Sequence, residues 1–427
     1  MSTFQVILMI VFVVALVLGV MIFAGLIPIG GGPGKLEITG NLVMWGFARS
    51  GTVSPILTKY NEQNQNITVS YVEKNPATFD REYIEALANG LGPDLLLLPQ
   101  DLIWRYKGRL TPIPYASFSA ATFRDSFVSM ADLYLDPRGI LGLPIILDPL
   151  VMYYNRNLLD SAGVAKPPEF WDEFLTLAPI LTKQTTPGSI DTAGVALGTY
   201  SNVTNAKEII SAMILQSGNP VTLLSGANLI PNLSDAGRIT EAVLRFYTEF
   251  SNPSKEAYSW NRSFSSSRNA FISENLAIYF GFAGELFSLR ETNPNLNFDV
   301  AKLPQSRTAK TEATFGKLSA LAISKNTKNP PAALAAVNAL SAPAYGVQFA
   351  QALSLPPPRR DLLAVIPPSP HYLKTFYRSA LISKAWLDPS PEATDLIFKN
   401  MIDNIVSGRF TLSQSISEAQ KEMSAIR

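Results

Sequence analysis

An α/β fold with mainly parallel sheets, preceded by one N-terminal transmembrane helix, is what three features of this 427-residue sequence predict. Short apolar runs of strand character alternate with segments of helical period. Residues 1–34 hold no Asp, Glu, Lys or Arg, and Val6 to Ile27 is an unbroken run of 22 apolar or Gly residues. The rest of the chain carries every charge, and 47% hydrophobic residues overall supply enough material for a large core, which excludes wholesale disorder.

Taken from the N-terminus, the 22-residue run makes a helix of about 33 Å, enough to cross a hydrocarbon layer of ~30 Å. A cleaved signal peptide fits less well, because the run exceeds the usual h-region and no basic residue precedes it. A lipid-anchored form needs a Cys, and there is none. The expectation is an anchor over 1–29 and a flexible Gly-rich tether over 30–35. The tether lacks the Gly-Lys-Ser/Thr spacing of a phosphate-binding loop.

The sequence KLEITGNLVMWGF (35–47) ends in a β-rich run, and a helix follows near 53–64. A helix is expected over 79–89, then a Gly-rich stop and a buried strand at Leu95–Leu98. GILGLPIILDPLVMYYN (139–155) supplies two extended runs. A helix is expected to start near Pro168, with acidic residues in its first turn. The segments 276–282 and 317–324 read as strands, and 332–340 and 391–426 as helices.

Composition removes several function classes. The balance of 35 basic and 34 acidic residues lacks the basic excess of a nucleic-acid binder. Absence of Cys rules out disulfides, thiolate nucleophiles and Cys-held metal centres. A single His, His371, rules out a multi-histidine metal site. No cofactor, metal or catalytic residue is expected.

The ordered strings NLVMWGF, GPDLLLLPQD (92–101), LPIILDPLVMYYNRNLLDSAG (143–163), PPEFWDEF (167–174), ENLAIYFGFAGEL (274–286), FGKLSALAISKN (315–326), LPPPRRDLL (355–363) and SGRFTLSQSISEAQKEM (407–423) carry a resemblance. Together they resemble family 1 of the extracellular solute-binding proteins of ABC importers, the group that contains maltose-binding protein. The resemblance implies a two-lobed, type II periplasmic-binding-protein-like fold, with hinged lobes closing on a ligand. Lobe 1 is expected at 36–145 and 318–370, and lobe 2 at 146–317 and 371–427. The sequence departs from the family pattern in lacking a lipid-anchor Cys.

A sugar presents C–H faces that stack on aromatic rings and hydroxyls that pair with carboxylates and amides. Residues of these types in the expected interlobe loops are Trp45, Gln100, Asp101, Asp148, Tyr153, Phe280, Phe282, Glu285 and Trp386. The resemblance puts Asp148 where relatives hold a polar contact beside the hinge, and Phe282 nearest their stacking position. A turn-forming role for Asp148, an N-cap role for Asp101 and core roles for the aromatic residues are the competing readings. Tyr153 and Tyr154 alternate faces, so one of the two belongs to a core. Gly281 and Gly284 leave room for a ligand to approach the backbone. Trp171 is assigned to packing, Trp260 and Arg262 to a possible cleft rim, and Arg359 and Arg360 to solvated loop positions.

The function implied is capture of a carbohydrate, a mono- or oligosaccharide, by a membrane-held extracytoplasmic domain that delivers it to the permease subunits of an ABC importer. The same fold with a polyamine, peptide or other small solute is the alternative. A glycosidase built on Asp148 and Glu285 is the lesser one.

Overall fold

The computed structural model describes residues 38–426 apart from 187, 235–237 and 310. The expected anchor and tether lie outside the described residues. Among the described residues no helix is long and apolar enough to cross a membrane.

The chain runs β1 (Gly40–Gly46), α1 (Ser50–Gln63), β2 (Ile67–Glu73), α2 (Phe79–Ala88), β3 (Leu95–Pro99), α3 (Ile103–Tyr106) and then a long β4 (Leu143–Asn155). It continues through α4 (Phe174–Leu181), β5 (Lys183–Thr186), β6 (Ser189–Val195), α5 (Ala206–Gln216), α6 (Arg238–Glu249) and β7 (Leu276–Phe282). The last principal elements are β8 (Thr314–Ser324), α7 (Pro330–Leu340), α8 (Pro391–Val406) and α9 (Leu412–Ser424). Shorter elements link them.

Local chemistry explains the main elements. Leu95 to Leu98 are all buried, as befits a strand covered on both faces. The α1 helix buries Val53, Ile56, Leu57 and Tyr60, the i, i+3, i+4, i+7 stripe of an amphipathic helix. A capping box opens α9, where the Thr411 hydroxyl accepts from the Gln414 N–H and the Gln414 amide oxygen accepts from the Thr411 N–H. The helix expected from Pro168 begins later: a short 3-10 turn at Trp171–Glu173 leads into α4, because Pro167 and Pro168 hold the preceding chain extended. The helical stretch expected over 391–426 is two helices, broken at Gly408, which has φ +70°.

The principal strands form one sheet in the order β2-β1-β3-β8-β4-β7-β6-β5. Pairing is mixed rather than mainly parallel. β1 with β3 and β7 with β6 are parallel, but β8 runs antiparallel to both β3 and β4, and β4 antiparallel to β7. The reason lies in β4 and β8, which cross the molecule in opposite directions and impose antiparallel neighbours at its centre.

Those two strands divide the core. On one side Leu143, Ile145 and Leu147 of β4 and Leu318 and Ala320 to Ile323 of β8 pack with β1, β3 and α7. On the other, Leu150 to Tyr153 of β4 and Phe315 of β8 pack with α4, α5, β7, α8 and α9. The result is a two-lobed α/β fold in which both crossing strands change lobe at the same rung. Across it Gly316 pairs with Pro149, Lys317 with Asp148 and Leu318 with Leu147. The Thr314 hydroxyl donates to the Leu150 carbonyl at 2.6 Å, fastening the strands just beyond the rung.

Candidate functional site

The rung at which the strands change lobe brings opposite charges together on a polar break in two apolar strands. Lys317 is exposed between buried Gly316 and Leu318, and its ammonium lies 3.9 Å from the centroid of the Phe282 ring. Asp148 accepts from the Gly284 N–H at 3.0 Å. Burial pushes the Asp148 carboxyl up to about 7, with the Gly284 N–H and Lys317 pulling the other way and Glu285 adding to the rise. A Cβ on Gly284 would stand 2.8 Å from Asp148 Oδ2, so glycine is what lets the carboxylate lie against this loop.

Asp101 approaches from lobe 1, in the 3-10 turn after β3. Its Oδ1 is buried and has no hydrogen-bond partner among the described residues. Burial raises its pKa first and nearby Asp388 second, while Lys207 and Lys317 oppose the rise. Asp101 thus feels the charges of Lys207 in lobe 2 and Lys317 on the crossing strand, with an acceptor oxygen unused among the described residues.

Lobe 2 contributes a closed ion-pair cluster. Lys207, at the start of α5, is 3.0 Å from Asp388 Oδ2 and also donates to the Pro391 carbonyl and the Thr394 hydroxyl. Asp388 is 2% exposed, and accepts from Thr394 Oγ1 at 2.8 Å and from the Ser390 N–H at 3.0 Å. Burial raises its pKa, with Lys207 holding it down. Nearby, the Tyr200 hydroxyl donates to Asp395 Oδ1 at 2.5 Å.

Of the residues expected to touch a ligand, Asp101 and Asp148 stand in this charged region, and Phe282 lies beneath Lys317. The others serve the lobes. Tyr153 is fully buried and its hydroxyl donates to the Phe282 carbonyl at 2.8 Å, so it is the core member of the Tyr153–Tyr154 pair. Phe280 is buried against Trp171 and Phe174. Gln100 is buried with its amide oxygen accepting the Leu318 N–H at 2.7 Å, tying β3 to β8. Glu285 is consumed by the Tyr279 hydroxyl at 2.7 Å, the Phe282 N–H at 2.9 Å and Arg268 at 3.3 Å. Trp386 is 5% exposed, stacked on Phe398, with its indole N–H on the Ser211 hydroxyl. Trp45 is 8% exposed, with Lys74 over its ring at 3.7 Å.

Each of these rings packs on another side chain: Trp45 under Lys74, Tyr153 on Tyr279, Phe280 on Trp171 and Phe174, Phe282 under Lys317, and Trp386 on Phe398. Gly281 likewise makes room for Tyr279 and Glu285 rather than for a ligand, since a Cβ there would meet the Tyr279 ring at 2.5 Å. Trp171 packs as expected, whereas Trp260 is fully buried and stacked on Phe264 instead of forming a rim. Sequence reading missed Lys317, Lys207 and Asp388. Lys317 carried a signal, as the one charge inside the run FGKLSALAIS; Lys207 and Asp388 meet across 181 residues and carried none.

A second concavity of about 600 Å³ lies on lobe 2 around Trp171, Met213, Phe246 and Arg307. Several of its polar groups already have partners. Arg307 pairs with Asp172 and Glu173, and Gln216 is bonded to Trp171, Pro304 and Ala313. The orphaned carboxylate oxygen and the exposed lysine single out the rung between the lobes instead.

Two α/β lobes joined by crossing strands, with a polar cluster where they meet, define the class of two-lobed solute-binding proteins. Residues 48–347 match the family described as bacterial extracellular solute-binding protein, and the chain belongs to that family. Solved structures share the fold at low identity. A cyclo/maltodextrin-binding protein complexed with maltotetraose superposes with TM-score 0.73 at 18% identity, covering 92% of this chain and 98% of that one. A cyclic α-maltosyl-1,6-maltose binding protein from Arthrobacter globiformis gives 0.76 at 12%, covering 91% and 99%. The sugar-binding protein MalE from Xanthomonas citri gives 0.71 at 19%, covering 91% and 97%.

Proposed function

We propose that this protein captures a carbohydrate between its lobes, held to the extracytoplasmic face of the cell membrane by its N-terminal apolar segment, and delivers it to the permease of an ABC importer. The observation that carries the reading is the Asp101–Asp148–Lys317 grouping. Asp101 Oδ1 is a buried acceptor without a donor among the described residues, and Asp148 and Lys317 are cross-strand partners on the rung. Vicinal hydroxyls both donate and accept, so a sugar suits carboxylate and ammonium groups alike, with charge-assisted hydrogen bonds. Burial of the Asp101 oxygen adds to the gain, because a donor from the ligand relieves an unmade bond. The family and the sugar-binding structural neighbours support the same reading.

A cationic solute such as a polyamine is the second reading, favoured by the carboxylates of Asp101 and Asp388, which repel one another. Lys207 and Lys317 weigh against it. Thermal unfolding with maltotetraose, mannobiose and spermidine separates the two. A true ligand at a hundredfold excess over its Kd adds about 2.7 kcal/mol, a shift of several degrees. A shift with a saccharide alone supports capture of carbohydrate; a shift with spermidine alone overturns it.

A further inference from the structure

A second charged contact joins the lobes away from the Asp148–Lys317 rung. Arg105, in α3 of lobe 1, donates through Nη1 to Asp80 Oδ2 at 2.6 Å, at the start of α2 in the same lobe. Its Nη2 reaches into lobe 2, donating to Ser390 Oγ at 3.1 Å and to the Glu392 carboxylate, in the first turn of α8. Ser390 Oγ in turn donates to Glu392 Oε2 at 3.3 Å.

The two ends of this contact are not equally free. Asp80 holds the guanidinium in lobe 1, so bringing Glu392 to it orders little further side-chain freedom. The receiving loop is fixed too, since Asp388 bonds the Ser390 N–H and Thr394 while Lys207 holds Asp388. Glu392 sits at a helix N-terminus, where the peptide dipoles already favour its charge. The side chains of Arg105 and Glu392 are 23% and 71% exposed. Such a pair is open to screening by salt, and contributes a modest bias rather than a permanent weld.

The geometry points to Arg105 as a latch: its bridge to Ser390 and Glu392 biases the lobes toward the closed arrangement before any ligand is bound. The inference rests on the reading of the fold as a hinged trap. A ligand that needs the closed form binds more tightly as the closed fraction rises, so the latch sets affinity without touching the ligand. An exposed pair of this kind changes the closed-to-open ratio by about twofold to fivefold.

The test reads the lobes in the absence of ligand, so its failure is separate from failure of the carbohydrate reading. The chain has no Cys, which allows a dye pair at Glu62→Cys in lobe 1 and Ser417→Cys in lobe 2, both exposed positions. Interlobe energy transfer is measured at about 10 mM salt, where the screening length is ~30 Å, and at about 1 M, where it is ~3 Å. The closed fraction is expected to fall with salt in the parent, to be low at both salts in Arg105→Gln and Glu392→Gln, and to fall no further in the double variant. Equal transfer in all four proteins at both salts, or single effects that simply add, overturns the latch. Thermal melts confirm folding, and if Arg105→Gln fails to fold, the more exposed Glu392→Gln carries the comparison.

Discussion

Lys317 and Asp148 are cross-strand partners on the one rung at which both crossing strands pass from one hydrophobic core to the other. That position explains why two charges interrupt strands that are otherwise apolar. A side chain there belongs to neither core. The ammonium lies against the ring of Phe282, and the carboxylate against the backbone of Gly284, so the lobe-2 loop that follows β7 is held to the rung by both.

Lys317→Gln tests this pairing through binding. It removes a cation from the Phe282 face and from beside Asp148 while leaving the strand pairing intact. With the saccharide that stabilises the parent, calorimetry is expected to show affinity lower by about tenfold to a hundredfold, the size of a hydrogen bond to a charged group. Unchanged affinity would remove Lys317 from the site.

The pH dependence of stability follows from Asp148. Its carboxyl titrates at about 7 in the folded protein, against 3.8 for the ordinary group. Between those values the folded state binds the proton that the unfolded state has released, so stability falls as pH rises from about 4 through about 7. Asp148→Asn keeps an acceptor for Gly284 and abolishes this loss. The variant is expected to be more stable than the parent at pH 8, by at most about 4 kcal/mol on the linkage scale, and indistinguishable near pH 4. Urea unfolding at the two pH values checks it, and equal stabilities at pH 8 contradict the raised value.

Removing Lys207 strands a buried carboxylate. Lys207→Met leaves Asp388 without its cation and is expected to cost about 3–5 kcal/mol, read as a lower urea midpoint. Asp388→Asn placed on the same chain is expected to recover most of that loss, because the remaining Thr394 and Ser390 contacts suit a neutral amide. No recovery in the double variant would mean that Lys207 stabilises through its contacts to Pro391 and Thr394 instead.

Gln216 is a test of the lobe-2 core. It is 1% exposed and serves the Trp171 indole and the carbonyls of Pro304 and Ala313 at 2.7, 2.8 and 2.8 Å. Gln216→Leu leaves these three groups without that partner. The expected loss is about 2–5 kcal/mol by urea unfolding, with ligand affinity of the folded fraction unchanged. An affinity loss without a stability loss would place a ligand in the neighbouring concavity.

Much of the fold was legible because it depends on local rules. Leu95–Leu98 reads as a buried strand and 53–64 as a helix, and the structure has both: the strand is buried on both faces and the helix buries the stripe Val53, Ile56, Leu57 and Tyr60. Asp101 follows an apolar strand and Asp148 falls where the resemblance implies a polar contact; in the structure Asp101 has a buried carboxylate oxygen and Asp148 pairs across strands with Lys317. Alternation along β4 also required that one of Tyr153 and Tyr154 be internal.

What the sequence could not determine is which surfaces another segment covers. Trp45, Phe280, Phe282 and Trp386 are apolar rings near strand ends, and nothing in their neighbours distinguishes a free face from one already occupied. Tertiary packing decided that: Lys74 lies over Trp45, Trp171 and Phe174 against Phe280, Lys317 over Phe282, and Phe398 against Trp386. It also decided the mixed strand directions, since two strands that cross between lobes in opposite senses must pair antiparallel. The sequence by itself determined the strand and helix character of the segments and the charge available to a site; burial and long-range pairing, which bring Lys207 to Asp388 and Arg105 to Glu392, arise only when distant segments exclude water from the same place.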